Sequence, residues 1–285
     1  MEEQSFWHKA MNIDVRIIYT IMFILVAAVM LNPIGLPIPI GDDTQLYYEE
    51  IDQLAETGEV LWLDAAFGPG SWGELGPMVE ATLRHAFDRG IPVVGMAMWQ
   101  QGGRMFETAM LNVLEDPEYD HIEYGEHIVN LGFRPGGAAV VLRGATRDVY
   151  DTFGGVDHTG QSLDDMPLAM RVEQLDPDYV GAAVVYESGS PGAIEYINYV
   201  HEPTGMTLHS GVIAMSFPAH KNLQDAGQLT GILGGATGCA QYELLIDHPG
   251  YAVMTQDVIS IGMVFVTLLI ILGNIGWLMT RQQEG

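Results

Sequence analysis

Residues Glu59–Gly76 read EVLWLDAAFGPGSWGELG. Nine residues, nearly all apolar, run into a turn rich in glycine, and an amphipathic stretch, Pro77–Arg89, follows. A short apolar run closed by Gly and Pro is the pattern of a strand buried on both faces. The turn and the stretch after it then make a strand–turn–helix unit, with Gly90 as the helix stop.

The same theme recurs along the chain. Ile91–Trp99 predicts a strand, QQGG a turn and Arg104–Leu114 a helix. Ile128–Phe133, then RPGG and the run Ala138–Phe153, repeat it. Tyr179–Tyr186 leads through ESGSPG into Ala193–His201, and Thr207–Met215 through SFPAH into a helix ending at Ala226. Gln228–Leu233, GGATG and Cys239–Ile246 close the series. Upstream, Thr44–Thr57 reads as a helix capped by Asp43 or Thr44 and stopped by Gly58. Alternation of this kind predicts an α/β fold, a doubly wound, mostly parallel sheet of about six strands. A crotonase-like or Clp-protease-like spiral is the rival arrangement.

Apolar runs bracket this domain. Val258–Met279 (VISIGMVFVTLLIILGNIGWLM) has no charged residue, and about 20 apolar residues are what a helix needs to cross a bilayer. Ile17–Leu31 is a second run, followed by the proline-rich exit NPIGLPIPIG without a nearby small-residue cleavage pattern. It reads as an uncleaved anchor. Lys9 and Arg16 precede the first run and Arg281 follows the second, while the inner flanks carry no Lys or Arg. The bias of basic residues puts both termini in the cytoplasm and the domain outside it. Trp7 and Trp277 suit the inner interface, and Tyr251 the outer. The expected organisation is a cytoplasmic start (1–16), a first span (17–32), a linker and helix (33–57), the α/β domain (58–250), a second span (258–279) and a cytoplasmic end (280–285).

The chain carries 37 acidic against 11 basic residues, a net charge of −26. Between Asp42 and Asp257 stand 33 acids and 8 bases. Such a surface repels phosphate backbones and anionic headgroups, which argues against a nucleic-acid partner. A saline exterior or a basic partner subunit would offset the self-repulsion. Cys239 is the only cysteine, so no intrachain disulfide and no cysteine-based zinc cluster can form.

In an open α/β sheet, ligands sit beyond the carboxyl ends of the strands. The turns there offer Gly68, Gly70, Ser71, Gly73, Gly102, Gly103, Ser188, Ser190, Gly234 and Gly235 as candidate ligand contacts, each turn feeding a helix N-terminus that favours an anion. Tight turns also need glycine for geometry alone. GPGSWG departs from G-x-G-x-x-G, Pro69 breaks G-x-S-x-G around Ser71, and no P-loop is present. Ser71, Ser190 and Lys221 are the candidates for serine-type hydrolysis, with His209 or His220 and Asp64 as further partners. Cys239 at a helix start reads as a small core residue or a thiol of lowered pKa. Asp120, His121, Glu123, Glu126 and His127 crowd one loop, with no ligand spacing of a known metal site; it reads as a solvated acidic loop. No cofactor or metal is expected. In the second span, Gly273 and Asn274 suit close helix packing, with Ala27 and Ala28 as complements on the first.

The segments LWLDAAFGPGSWGELGPM, YGEHIVNLGFRPGG, GSPGAIEYI, GILGGATGCAQYE and LLIILGNI together resemble an uncharacterised family of two-span, membrane-anchored proteins of bacteria and archaea. The resemblance covers most of the chain and implies an extracytoplasmic α/β domain, with no chemistry attached. The expected function is a non-enzymatic structural or scaffolding subunit of a homo- or hetero-oligomeric membrane complex, with the bilayer and other subunits as partners. The alternative is a membrane-tethered hydrolase or small-ligand receptor acting through the strand-end loops.

Overall fold

The computed structural model describes residues 13–281. Two compact units divide the chain: Ile38–Ala252, and the described residues up to Pro37 together with those from Val253 onward. Trp7, Lys9 and the chain after Arg281 lie outside the described residues.

The larger unit is a single six-stranded sheet, all parallel, with strand order β3-β2-β1-β4-β5-β6. The strands are β1 (Val60–Ala66), β2 (Val93–Ala97), β3 (Ile128–Phe133), β4 (Val180–Glu187), β5 (Thr207–Val212) and β6 (Ile232–Gly234). The sheet is open, so the spiral arrangement does not occur. All seven residues of β1 are buried, because β1 is central and covered on both faces. That is why its sequence is a continuous apolar run rather than an alternation.

One face carries a core of Trp62, Val94, Val129 and Val185 against Leu142, Phe153, Leu168 and Tyr196. These come from α5 (Ala138–Ala145), α6 (Val149–Phe153), α7 (Pro167–Arg171) and α8 (Ala193–Tyr196), the last running on through a π-helical turn, Ile197–His201. Each large side chain buried there contributes about 1.5–3 kcal/mol. The other face is covered by α2 (Asp42–Thr57), α3 (Trp72–Asp88), α4 (Gly102–Leu114) and α10 (Gly235–Leu245), while α9 (Phe217–Asp225) packs beside β6. Here the Tyr47 hydroxyl meets Thr82 Oγ1 and the Tyr186 hydroxyl, both at 2.9 Å. The polar atoms of this aromatic core therefore satisfy one another.

Several local expectations are corrected. The cap of α2 is Gly41, not Asp43 or Thr44; Asp42 and Asp43 fall in the first turn, where carboxylates suit the helix dipole. α3 begins at Trp72, five residues before Pro77, and keeps that proline inside. The run Ala138–Phe153 is two helices, because Asp148 accepts Asp151 N at 2.8 Å and starts a new one. β6 is short: Gly231 lies against the Tyr47 backbone, where a Cβ would stand 2.4 Å from Tyr47 Cα.

In the smaller unit, α1 (Val15–Leu31) has 17 residues and α11 (Tyr251–Arg281) has 31. Of these, α11 is long and apolar enough to cross a membrane. At 1.5 Å per residue α1 is about 26 Å long, somewhat less than a bilayer core of about 30 Å. The chain leaving α1 closes around Asp257, whose carboxylate is 1% exposed. Ile34 N and Gly35 N donate to Oδ2 at 2.8 Å, and Leu36 N to Oδ1 at 2.9 Å. Met22 of α1 lies against Gly262 of α11, where a Cβ would meet Met22 Cε at 3.4 Å. Of the small residues expected at a helix contact, Gly273 has nothing within 4 Å in this chain, and Asn274 Nδ2 donates to Ile270 O of its own helix at 2.8 Å. Ala27 is half-buried and Ala28 exposed.

Candidate functional site

The strand order reverses between β1 and β4, so the crevice outside their carboxyl ends is where a doubly wound fold takes its ligand. In this chain its own side chains occupy that place. The Gln101 side chain lies over Gly68, so that a Cβ there would meet Oε1 at 2.5 Å. The Trp99 ring covers Gly189, and its indole N–H donates to Pro191 O at 2.8 Å. Ser188 N reaches Ala66 O at 3.4 Å. Gly192 approaches Glu187 Oε2 so closely that any side chain would collide, and that oxygen accepts Ala193 N. Gly68, Ser188 and the Ser190–Gly192 bend, with its cis Ser190–Pro191 bond, are thus brought together, but they close on one another.

The sequence-predicted catalytic groups are dispersed. Ser190 Oγ donates to Glu195 Oε1 at 2.9 Å, and the other Glu195 oxygen accepts Gly192 N at 2.7 Å. Ser71 ends a 3-10 turn at the N-terminus of α3 and makes no capping bond there; Gly70 and Gly73 beside it are exposed. Lys221 is 42% exposed and lies 2.7 Å from Asp43 and 2.6 Å from Gln224 Oε1. That is an exposed ion pair, far from the buried, desolvated amine a serine–lysine dyad requires. His209 is fully buried; its Nδ1 accepts Gly231 N at 3.0 Å, and burial holds its pKa down at about 4.

His220 is the sequence-named residue with the most developed surroundings. Its Nδ1 faces Ser216 O at 3.1 Å, and its Nε2 stands 2.8 Å from Glu187 Oε1, close but off the line of a well-aligned hydrogen bond. Burial opposes its charge, but the Glu187 carboxylate and the Ser216 carbonyl outweigh burial and raise its pKa. The ring is thus engaged with Glu187 and the Ser216 carbonyl. Glu187 itself gave no signal in the sequence beyond its place at a strand end.

Asp64 is fully buried in β1. Its Oδ1 accepts Met98 N at 3.0 Å while Oδ2 has no partner. Burial lifts its pKa to about 7. Cys239 is buried in the second turn of α10, which starts at Gly235 and not at Cys239, and burial pushes its thiol pKa well up; it is a core residue.

The acidic loop is solvated: Asp120, His121, Glu123, Glu126 and His127 are exposed, and His127 Nδ1 accepts Glu123 N at 3.0 Å. A different trio converges from three parts of the chain. Ligand atoms of Asp88, Glu118 and His248 lie within 4.8 Å of one another, with His248 Nε2 3.0 Å from Asp88 Oδ2.

Two cavities flank the closed crevice at the strand ends. One, of about 310 Å³, is lined by Asp43, Thr44, Phe217, Gly234, Gly238 and Gln241 among others. Gly234 belongs to the expected ligand set, and Gly235 beside it (φ 57°) abuts Ala214. The other, of about 290 Å³, is lined by residues after β2 and β3 including Gly103, Arg104 and His158. Gly102 is packed against Ala65 O instead. Tyr124, Asp157 and His158 around the second cavity escaped the sequence reading, since they sit in polar loops without a motif.

No family model, no curated protein and no solved structure matches this chain. The fold itself defines the class: a six-stranded, all-parallel α/β domain followed by an apolar helix of membrane-crossing length.

Proposed function

We propose that this chain is a membrane-anchored, non-enzymatic subunit of a larger membrane complex, presenting its acidic α/β domain outside the cytoplasm and working through contacts with other protein subunits or copies of itself. The observation that carries this reading is the closed crevice between β1 and β4. Where a doubly wound fold places substrate, Gln101, Trp99 and the Ser188–Gly192 bend fill the space. The candidate nucleophile Ser190 and the candidate base Lys221 are each tied to a carboxylate.

The two-span reading draws support from the smaller unit. Asp257, a group costly to bring near lipid, is offset there by three backbone N–H donors. α1 is thereby fastened to the chain that continues as α11, as a retained anchor would be. Arg16 before α1 and Arg281 at the end of α11 fit cytoplasmic termini by the basic-residue bias.

Sizing the protein after solubilisation in mild detergent tests the assembly. A particle larger than the chain plus its micelle, or a co-purifying subunit, is the expected result, and a clean monomer contradicts it. Labelling by a broad serine-reactive probe that disappears in Ser71→Ala or Ser190→Ala would replace this reading with the hydrolase. Protease added to intact cells should cut the domain; resistance there combined with cleavage in inside-out vesicles reverses the orientation.

A further inference from the structure

The cavity beyond β2 and β3 has walls of unequal chemistry. Its charged lining is Arg104, Glu107, Arg134, Asp157 and His158. Asp157 is fully committed. Its Oδ1 accepts Thr159 N, Thr159 Oγ1 and Gln161 N at 2.8, 2.8 and 2.9 Å, and its Oδ2 accepts the Tyr124 hydroxyl at 2.8 Å. Burial alone would raise its pKa, but these donors outweigh burial and keep it below the usual carboxylate range. Its lone pairs are thus taken up within the loop that it organises.

The cations are less committed. Arg134 lies over the Phe153 ring and donates through one terminal nitrogen to Phe153 O and Val156 O. Its Nε is buried with no hydrogen-bond partner, and a buried donor left so costs about 1–3 kcal/mol. Arg104 is exposed, and no hydrogen bond or ion pair engages its guanidinium among the described residues. His158 turns Nδ1 to Asn130 O at 3.1 Å, and its Nε2 stands 3.7 Å from Glu107. Gly103 opens the mouth: a Cβ there would find nothing nearer than 3.5 Å. The cavity also adjoins the first turn of α4, whose cap residue Gln101 makes no side-chain bond to it.

We propose that this cavity binds a small oxyanion, the carboxylate or phosphate group of a small molecule, with Arg104 as the principal charge partner and Arg134 as a second guanidinium at its wall. The strongly negative domain does not forbid it. At physiological ionic strength the Debye length is about 8 Å, so carboxylates beyond the cavity are screened; of the two that line it, Asp157 already accepts four hydrogen bonds and Glu107 is 42% exposed to solvent. A planar guanidinium matches the geometry of either oxyanion.

The test is thermal unfolding of the full chain in mild detergent, titrated separately with inorganic phosphate and with acetate at an ionic strength held constant by chloride. A saturable rise in Tm is expected with at least one of them, and Arg104→Gln should weaken the apparent affinity about tenfold, the loss of one charge-assisted contact. Arg147→Gln, at a different cavity, should leave it unchanged. A response to phosphate alone identifies the bound group as phosphate, and a response to acetate alone as carboxylate. No saturable rise with either anion overturns the proposal, as does a rise that Arg104→Gln leaves intact or that Arg147→Gln weakens equally. Tm and circular dichroism without added anion show whether each variant is folded, and Arg104→Lys, keeping the charge and losing the fork, should fall between the two.

Discussion

Asp257 accepts the backbone N–H of Leu36 at 2.9 Å. With Ile34 N and Gly35 N on its other oxygen, the carboxylate sits in a nest of three successive amides, a shape that depends on the left-handed Gly35 (φ 66°). We expect Asp257→Ala to cost about 2–4 kcal/mol, the loss of several charge-assisted bonds with buried donors left behind. The reading is cross-linking of Met22→Cys to Gly262→Cys, positions that face each other here, by a short bifunctional thiol reagent. Cross-linking that is as efficient in the Asp257→Ala background would show that the nest does not hold α1 to α11.

Asp64 makes a prediction about pH. Its folded pKa of about 7 exceeds the ordinary 3.8, so the folded chain retains a proton that the unfolded chain has released. The stability this provides is complete below about pH 4 and lost as pH rises through 7. His209, held down near 4 by burial, acts in the opposite sense, its contribution being lost as pH falls below about 6.5. Comparing Asp64→Asn with the parent chain isolates the carboxyl. The stability of the variant relative to the parent should rise by about 3 kcal/mol between pH 4 and pH 8. A difference that stays flat with pH would sink this account.

The glycine pair of the QQGG turn separates packing from access. A Cβ on Gly102 would stand 1.8 Å from Ala65 O, whereas one on Gly103 would be 3.5 Å from its nearest neighbour. We expect Gly102→Ala to destabilise the domain by about 3 kcal/mol or more, because backbone must shift. Gly103→Ala should change chemical-denaturation stability by less than about 1 kcal/mol. Equal effects would contradict the packing assigned to Gly102.

Lys221 should prove expendable. Its pair with Asp43 is exposed on the lysine side, and such pairs contribute about 0–1 kcal/mol. Lys221→Ala is expected to lower the denaturation midpoint slightly, with the deficit shrinking further in high salt. A loss of several kcal/mol would mean that the ammonium does more than this contact indicates.

Much of the architecture was legible because burial on both faces writes itself into the strands. β1, β2 and β4 announce themselves as apolar runs, and Ile128–Phe133 has the bounds expected of it. Strand order was not legible: nothing local in Val60–Ala66 says that β4 rather than β3 lies beside it. The split of Ala138–Phe153 turned on one aspartate, Asp148, acting as a cap rather than as an interior residue. At the strand ends the sequence placed the glycine turns where the structure has them, after the carboxyl ends of the strands. It could not reveal that Gln101 and Trp99 lie over Gly68 and Gly189, since these are contacts between separate loops. Arg104 and His158 were missed for a similar reason: one opens a helix and the other sits in a polar loop, and only the fold brings them to one wall.

The burial of Cys239 has a practical corollary. Its sulfur is walled off and its thiol is held protonated, so alkylating and maleimide reagents have no native target on the folded chain. A single cysteine placed on either side of α11 becomes the molecule's sole reactive handle, and impermeant and permeant reagents can then distinguish the two compartments without a background to subtract.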